Sequence, residues 1–186
     1  MTGLDALWLP ILLASVIVFI ASSIIHMGPF WHRNDYPKVA NQDRLLDALR
    51  PLVPPPGDYL LPRADHMKEL GTPEFKEKLA KGPVVMLTVF PKGGFSMGRN
   101  LVQWFLYTIV VSFFTAYITG RALPPGTDYL HVFQIGGAAA FVGYSLALVQ
   151  MSIWYRRGWS LTIKSLFDGL IYGLLTAGTF GWLWPH

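Results

Sequence analysis

The chain has 186 residues and no cysteine; 52% of it is apolar and only 14% charged, where a soluble domain carries roughly a quarter charged residues. Of its 26 formally charged side chains, 19 lie between Arg33 and Arg99, and the flanks are almost free of charge. The pattern excludes a soluble globule, a disordered chain and a disulfide-built scaffold, and describes an integral membrane protein with one large polar insert.

A hydrocarbon core of ~30 Å takes about 20 apolar residues to cross, and four stretches reach that length. The first runs from Leu7 to about Ile25, within a segment 1–26. Its Pro10 falls in the opening turns, where a missing N–H costs least. Its leader carries no Lys or Arg and its apolar run exceeds a signal-peptide core, so it is expected to be an uncleaved anchor.

The insert, 27–99, is densely punctuated. NQDRLLDALRPL predicts a helix started by Asn41 and stopped by Pro51, and DHMKELG a short helix closed by Gly71. TPEFKEKLAKGP predicts a helix with Thr72 as N-cap, Pro73 at its first position and Gly82 past its end. Val84 to Phe90 is β-branched and aromatic and reads as a strand pairing with DYLL in a small hairpin. Elements this short cannot bury a large core, so the insert is expected to lie against the membrane face or a partner.

The remaining spans, about 101–119, 129–154 and 161–184, form a three-helix bundle over 100–186. They are joined by the Gly- and Pro-rich turn GRALPPGTD and by Arg156 to Gly158. The expected fold is an all-α integral membrane protein of four transmembrane helices with the insert between the first two. Near the span ends, eight basic residues lie on the insert side or in the Arg156–Gly158 turn, against Arg121 alone opposite. The insert should therefore be cytoplasmic and both termini outside. Aromatic residues mark both interfaces, with Trp8, Tyr117, Tyr129, Trp182 and Trp184 outside and Trp31, Trp104, Trp154 and Trp159 inside.

Small residues recur at helical spacing as Gly169, Gly173, Ala177 and Gly181 in the fourth span and Gly136, Ala140 and Gly143 in the third. They predict close helix packing, within one chain or between copies. Thr108, Ser112, Thr115 and Thr119 form a hydroxyl stripe on the second span, able to bond across helices. Asp168 is the one carboxylate inside a span, and an intramembrane charge must be paired, protonated or hydrated. Lys164 lies one turn earlier on the same face, and Tyr172 extends the polar stripe inward. Either an interfacial ion pair or a proton- or ion-responsive carboxylate would meet that demand.

The histidines do not predict a metal centre. His26 and His32 share one membrane face and His131 the other, while a set of His26, His32 and His66 lacks known ligand spacing. PKGGFSMGRN opens a membrane helix but lacks the Lys-Ser/Thr pair of a phosphate loop, which excludes a nucleotide site. Its Lys92 and Arg99, with Arg156 and Arg157, suit anionic lipid headgroups on the cytoplasmic side. No nucleophile elbow, zinc-protease helix or paired intramembrane aspartates appear, and Asp65, His66 and Asp168 are single acid–base groups without a partner set. Neither a catalytic residue nor a cofactor is expected, and no nucleic-acid partner.

The runs IIHMGPFWHRNDYPK, GGFSMGRNLVQWFLYTIVVSFFTAY and SIWYRRGWSLTIKSLFDGLIYGLLTAGTFGWLWP resemble a family of small bacterial inner-membrane proteins of unassigned function, over most of the chain. The resemblance implies a multi-pass protein of the bacterial inner membrane, with periplasmic termini, and no activity. The expected function is a non-catalytic accessory, assembly or scaffolding component, working with a membrane-protein partner or as a homo-oligomer. The alternative is a small oligomeric proton- or ion-linked transporter or channel using Asp168.

Overall fold

A computed structural model describes residues 1–28, 31–93 and 96–186, which divide into two units: Met1–Pro37 with Ser96–His186, and Lys38–Phe95. The first unit is helical. A 3-10 turn over Leu4–Leu7 leads into α1, Trp8–Met27. Trp8, Leu12, Val16, Ile20 and Ile24, four residues apart, remain exposed, while Ile11, Ala14, Ser15, Val18 and Ser22 turn inward. An apolar stripe of that length left facing outward is what a lipid-contacting helix requires.

In the same unit, α4 spans Met97–Ala122, capped by Ser96, whose hydroxyl accepts the Arg99 N–H at 3.4 Å. The next helix, α5, spans Tyr129–Tyr144, and its cap is Asp128, which accepts the Leu130 and His131 N–H groups at 3.1 and 3.2 Å. The span expected to continue to residue 154 is interrupted. Ser145 leaves helical geometry, Leu146–Leu148 form a 3-10 turn, and α6 resumes over Val149–Tyr155. Arg156, in the left-handed region at φ 57°, turns the chain into α7, Trp159–Trp182.

Among the described residues, three helical segments are long and apolar enough to cross a membrane: Leu4–Met27, Met97–Ala122 and Tyr129–Tyr155. The expectation of four spans is therefore corrected. With 24 residues α7 has the length, about 36 Å at 1.5 Å per residue. Its composition is what falls short: Lys164, Asp168, four glycines and five Ser/Thr hydroxyls dilute the apolar content.

The long helices nevertheless close on one another, α1 against α4 and α7, and α5 against α4 and α7. Leu7, Ile11, Ala14, Ala116, Val132, Phe180 and Trp184 fill one end of the interior, and Val18, Ile25, Val111, Ala140, Tyr144 and Tyr172 the other. Thr2 N–H bonds the Gly120 carbonyl at 2.7 Å, Trp184 Nε1 the Pro124 carbonyl at 3.0 Å, and Gly126 N–H the Pro185 carbonyl at 2.8 Å. The segments flanking α1 and α7 are thus tied to the α4–α5 turn, at the end opposite the candidate site.

The second unit holds α2 (Gln42–Leu49), β1 (Gly57–Leu61), a 3-10 turn at Glu69–Gly71, α3 (Pro73–Lys81) and β2 (Val85–Val89). The two strands pair antiparallel, Gly57 opposite Val89 and Leu61 opposite Val85. The expected hairpin is present. Thr72 caps α3 by accepting the Phe75 N–H at 3.2 Å, Pro73 is its first residue, and Gly82 leaves it at φ 57°. These local signals were strong enough to fix the helix without tertiary help.

Candidate functional site

The last turn of α1 carries His26, and the helix closes when Gly28 N–H bonds the Ile24 carbonyl at 2.9 Å. Beyond Pro29 and Phe30, which lie outside the described residues, Trp31 to Tyr36 run as turns and bends. Within them Asp35 N–H returns to the His32 carbonyl at 3.1 Å, and the same turn sets His32 Nδ1 2.7 Å from Asp35 Oδ2.

Onto this turn α7 projects two side chains one helical turn apart. Asp168 is 3% exposed. Its Oδ1 accepts the Trp31 indole N–H at 3.2 Å, and its Oδ2 lies 2.9 Å from His32 Nε2. Lys164 Nζ donates to Asp35 Oδ1 at 2.6 Å and to the Trp31 carbonyl. The spacing that suggested a Lys164–Asp168 pair instead gives each residue its own cross-link to residues 31–35. The loop Asp168–His32–Asp35–Lys164 closes through the backbone of α7. Burial works against the Asp35 carboxylate, but hydrogen bonds from Lys164 and His32, and their charges, outweigh it and hold its pKa below the ordinary aspartate value.

His26 completes the group. Its ring packs at a 35° tilt against that of His32 with centroids 4.4 Å apart, and its Nε2 is 3.3 Å from the Tyr172 hydroxyl. One nitrogen from each imidazole and one Asp168 oxygen all lie within 4.8 Å of one another. Two imidazoles and a carboxylate are a donor set that divalent first-row transition metals accept. His66, which the sequence offers as a third histidine, belongs to the second unit. His131 sits at the far end against Asp128. Asp168, Lys164, Tyr172 and the depth of His26 were readable from helical spacing. Trp31, His32 and Asp35 were missed as partners; their one local signal is the i, i+3 spacing of His32 and Asp35 beside a span.

Inward from His26 a polar line continues. The Tyr172 and Tyr144 rings meet edge-on at 5.5 Å, and the Tyr144 hydroxyl faces those of Ser112 and Thr176. Of the hydroxyl stripe on α4, Thr108 bonds the Phe105 carbonyl at 2.7 Å and reaches the Ser15 carbonyl of α1 at 3.4 Å. Among the described residues, Thr115, Thr119 and Ser145 bury their hydroxyls without a hydrogen-bond partner in the chain. Each buried polar group left unpaired costs about 1–3 kcal/mol, so these positions are costly.

Several of the small residues lie where neighbouring helices come close. A Cβ on Gly169 would lie 2.9 Å from Ser145 Cβ, one on Gly143 2.9 Å from Val111 Cγ1, and one on Gly181 2.7 Å from the Tyr129 ring. At Gly173 and Gly136 the contacts are looser, from 3.3 and 3.5 Å, and Ala140 and Ala177 are fully buried. The basic residues are more dispersed. Arg99 is exposed in the first turn of α4, Arg156 is exposed, and Arg157 Nη2 reaches Ser165 Oγ at 3.4 Å, while Lys92 belongs to the second unit. Gly94 and Phe95 of the glycine-rich turn lie outside the described residues.

No family model matches the chain, and neither the curated proteins nor the solved structures contain a match to it. The apolar helices make it a multi-span helical membrane protein in general terms.

Proposed function

We propose that the chain is a non-catalytic accessory, assembly or scaffolding component of a bacterial inner membrane, its insert cytoplasmic and its N-terminus periplasmic. The observation that carries this reading is the second unit. Among its described residues only Phe75 is buried, while Leu45, Leu46 and Leu49 of α2 and Leu60, Leu61, Val85 and Met86 of the hairpin stay exposed. A unit with one buried side chain has no core to stabilise it alone, and this many exposed large apolar side chains are normally covered by a partner. A membrane-protein partner would cover it, with Lys92, Arg99, Arg156 and Arg157 meeting anionic headgroups nearby. The reading is tested by purifying the chain at native expression level in a lipid-preserving detergent and weighing the intact complex. A second protein in fixed stoichiometry is expected; a bare chain or a homo-oligomer would overturn it.

A second reading has its own support, the line of buried hydroxyls that leads inward from His26 and Tyr172. A small oligomeric ion-linked transporter or channel would use such a line to solvate its cargo. Reconstituted vesicles separate the two. The accessory reading expects them to be as tight as protein-free vesicles, and a cation flux abolished by Thr115→Val would select the transporter.

A further inference from the structure

We propose that His26, His32 and Asp168 form a binding site for one divalent first-row transition-metal ion, with Zn2+ the best fit to two imidazoles and a carboxylate.

The argument begins at His32. Both of its ring nitrogens face carboxylates, Nδ1 at 2.7 Å from Asp35 and Nε2 at 2.9 Å from Asp168. A neutral imidazole has one N–H and can donate to only one of them. The other contact sets a lone pair against an anion unless a proton or a metal ion lies there. A proton would satisfy His32 alone, and it would leave unexplained a second imidazole packed at a tilt against the first, with ring centroids 4.4 Å apart. A metal ion uses both rings.

The surroundings have the form that metal sites require. Ligating histidines usually give their other N–H to a carboxylate, which fixes the tautomer and raises ligand basicity. Asp35 stands in that position to His32 and is itself fixed by Lys164 at 2.6 Å. The second oxygen of Asp168 takes the Trp31 indole N–H, and the Tyr172 hydroxyl orients His26. Each ligand therefore has an outer partner. A groove of about 340 Å³, lined by Ser22, Ser23, His26, Met97, Leu101 and Trp104, opens beside His26. Three protein ligands leave a coordination position open, the arrangement of zinc sites that hold water or a small anion rather than of closed structural ones.

The test uses the full chain, purified in detergent through a histidine-free tag, stripped with a chelator and titrated with Co2+ and then Zn2+. One Co2+ per chain is expected, with the intense visible bands of a four- or five-coordinate site, displaced by Zn2+. His26→Ala, His32→Ala and Asp168→Asn should each abolish the spectrum. Asp35→Asn should weaken binding by about 10- to 100-fold, the usual effect of removing an outer carboxylate. His131→Ala, at the opposite end, should leave binding unchanged. Helical folded wild-type protein that binds no Co2+, or whose spectrum survives His26→Ala, would overturn the site and leave His32 as an imidazolium between two carboxylates. If the variants do not fold, X-ray absorption at the zinc edge of the wild type decides, a shell of oxygen and nitrogen with two imidazoles being expected. The site does not rest on the accessory reading: a retained partner with no metal sinks only the site, and metal without a partner only that reading.

Discussion

Two aspartates at opposite ends of the helical unit hold histidines in different ways. Asp168 is buried and shared between His32 and Trp31, whereas Asp128 is exposed and serves α5 as its cap. Hydrogen bonds from the His131 side chain and backbone, opposed by a smaller cost of burial, hold the Asp128 pKa below its ordinary 3.8. A carboxyl whose folded pKa is depressed contributes fully above the ordinary value, and that contribution is lost as pH falls through the lower folded one. The amide resonances of Leu130 and His131 should therefore move with a midpoint below pH 3.8; a midpoint above it would remove Asp128 as the cap. This cap is local, since a helix-starting aspartate needs only its own next three residues, although the sequence analysis reads Asp128 only as part of a turn. The contact of Asp168 with His32 is not local. It joins residues 136 apart in sequence through an irregular turn, and no periodicity runs through residues without a repeating backbone.

At the scale of elements, what was legible followed from local chemistry: Thr72, Pro73 and Gly82 bound α3, and β-branched residues define β2. Two features escaped. The interruption at Ser145 comes two residues after Gly143, whose carbonyl accepts the Tyr107 hydroxyl at 2.7 Å, a bond that supports the backbone there from a neighbouring helix. The count of spans failed at α7 because its inward face is built for contact rather than for apolar content. Replacing Gly169 by Ala tests that contact. Its new Cβ would meet Ser145 Cβ at 2.9 Å and Tyr144 Cβ at 3.3 Å, both close to the backbone and unable to swing away. A loss of about 1–3 kcal/mol is expected, read as a lower melting temperature in detergent. Gly178→Ala on the same helix meets only the Tyr129 hydroxyl at 3.6 Å and should be neutral or slightly stabilising, alanine being the better helix former. Equal effects of the two changes would refute packing through Gly169.

For the whole molecule, the absence of cysteine makes any introduced thiol a unique reporter. Pro125 lies in the α4–α5 turn and Ala80 on α3, both exposed. With the insert cytoplasmic, a membrane-impermeant thiol reagent applied to intact cells should modify Pro125→Cys and spare Ala80→Cys. The reverse pattern would invert the proposed orientation, and labelling of both would refute a simple span of α4. This prediction rests on the basic residues near the spans and on the ties between Thr2, Trp184 and the α4–α5 turn. It stands whether or not α7 would enter a bilayer by itself.

The two-stranded sheet has a consequence for the amount of this protein a cell can hold. Each strand has one neighbour, so Gly57–Leu61 and Val85–Val89 each keep an edge able to template another strand. Pro62 and Arg63 follow the first strand, while Pro83 precedes and Pro91 and Lys92 follow the second, the residues that discourage runaway pairing when they flank a sticky segment. They slow the reaction without removing the template. If the proposed partner covers these edges, chains synthesised beyond its supply would be lost to aggregates in proportion to the excess, and the cellular level of this protein would follow that partner's abundance more closely than its own rate of synthesis.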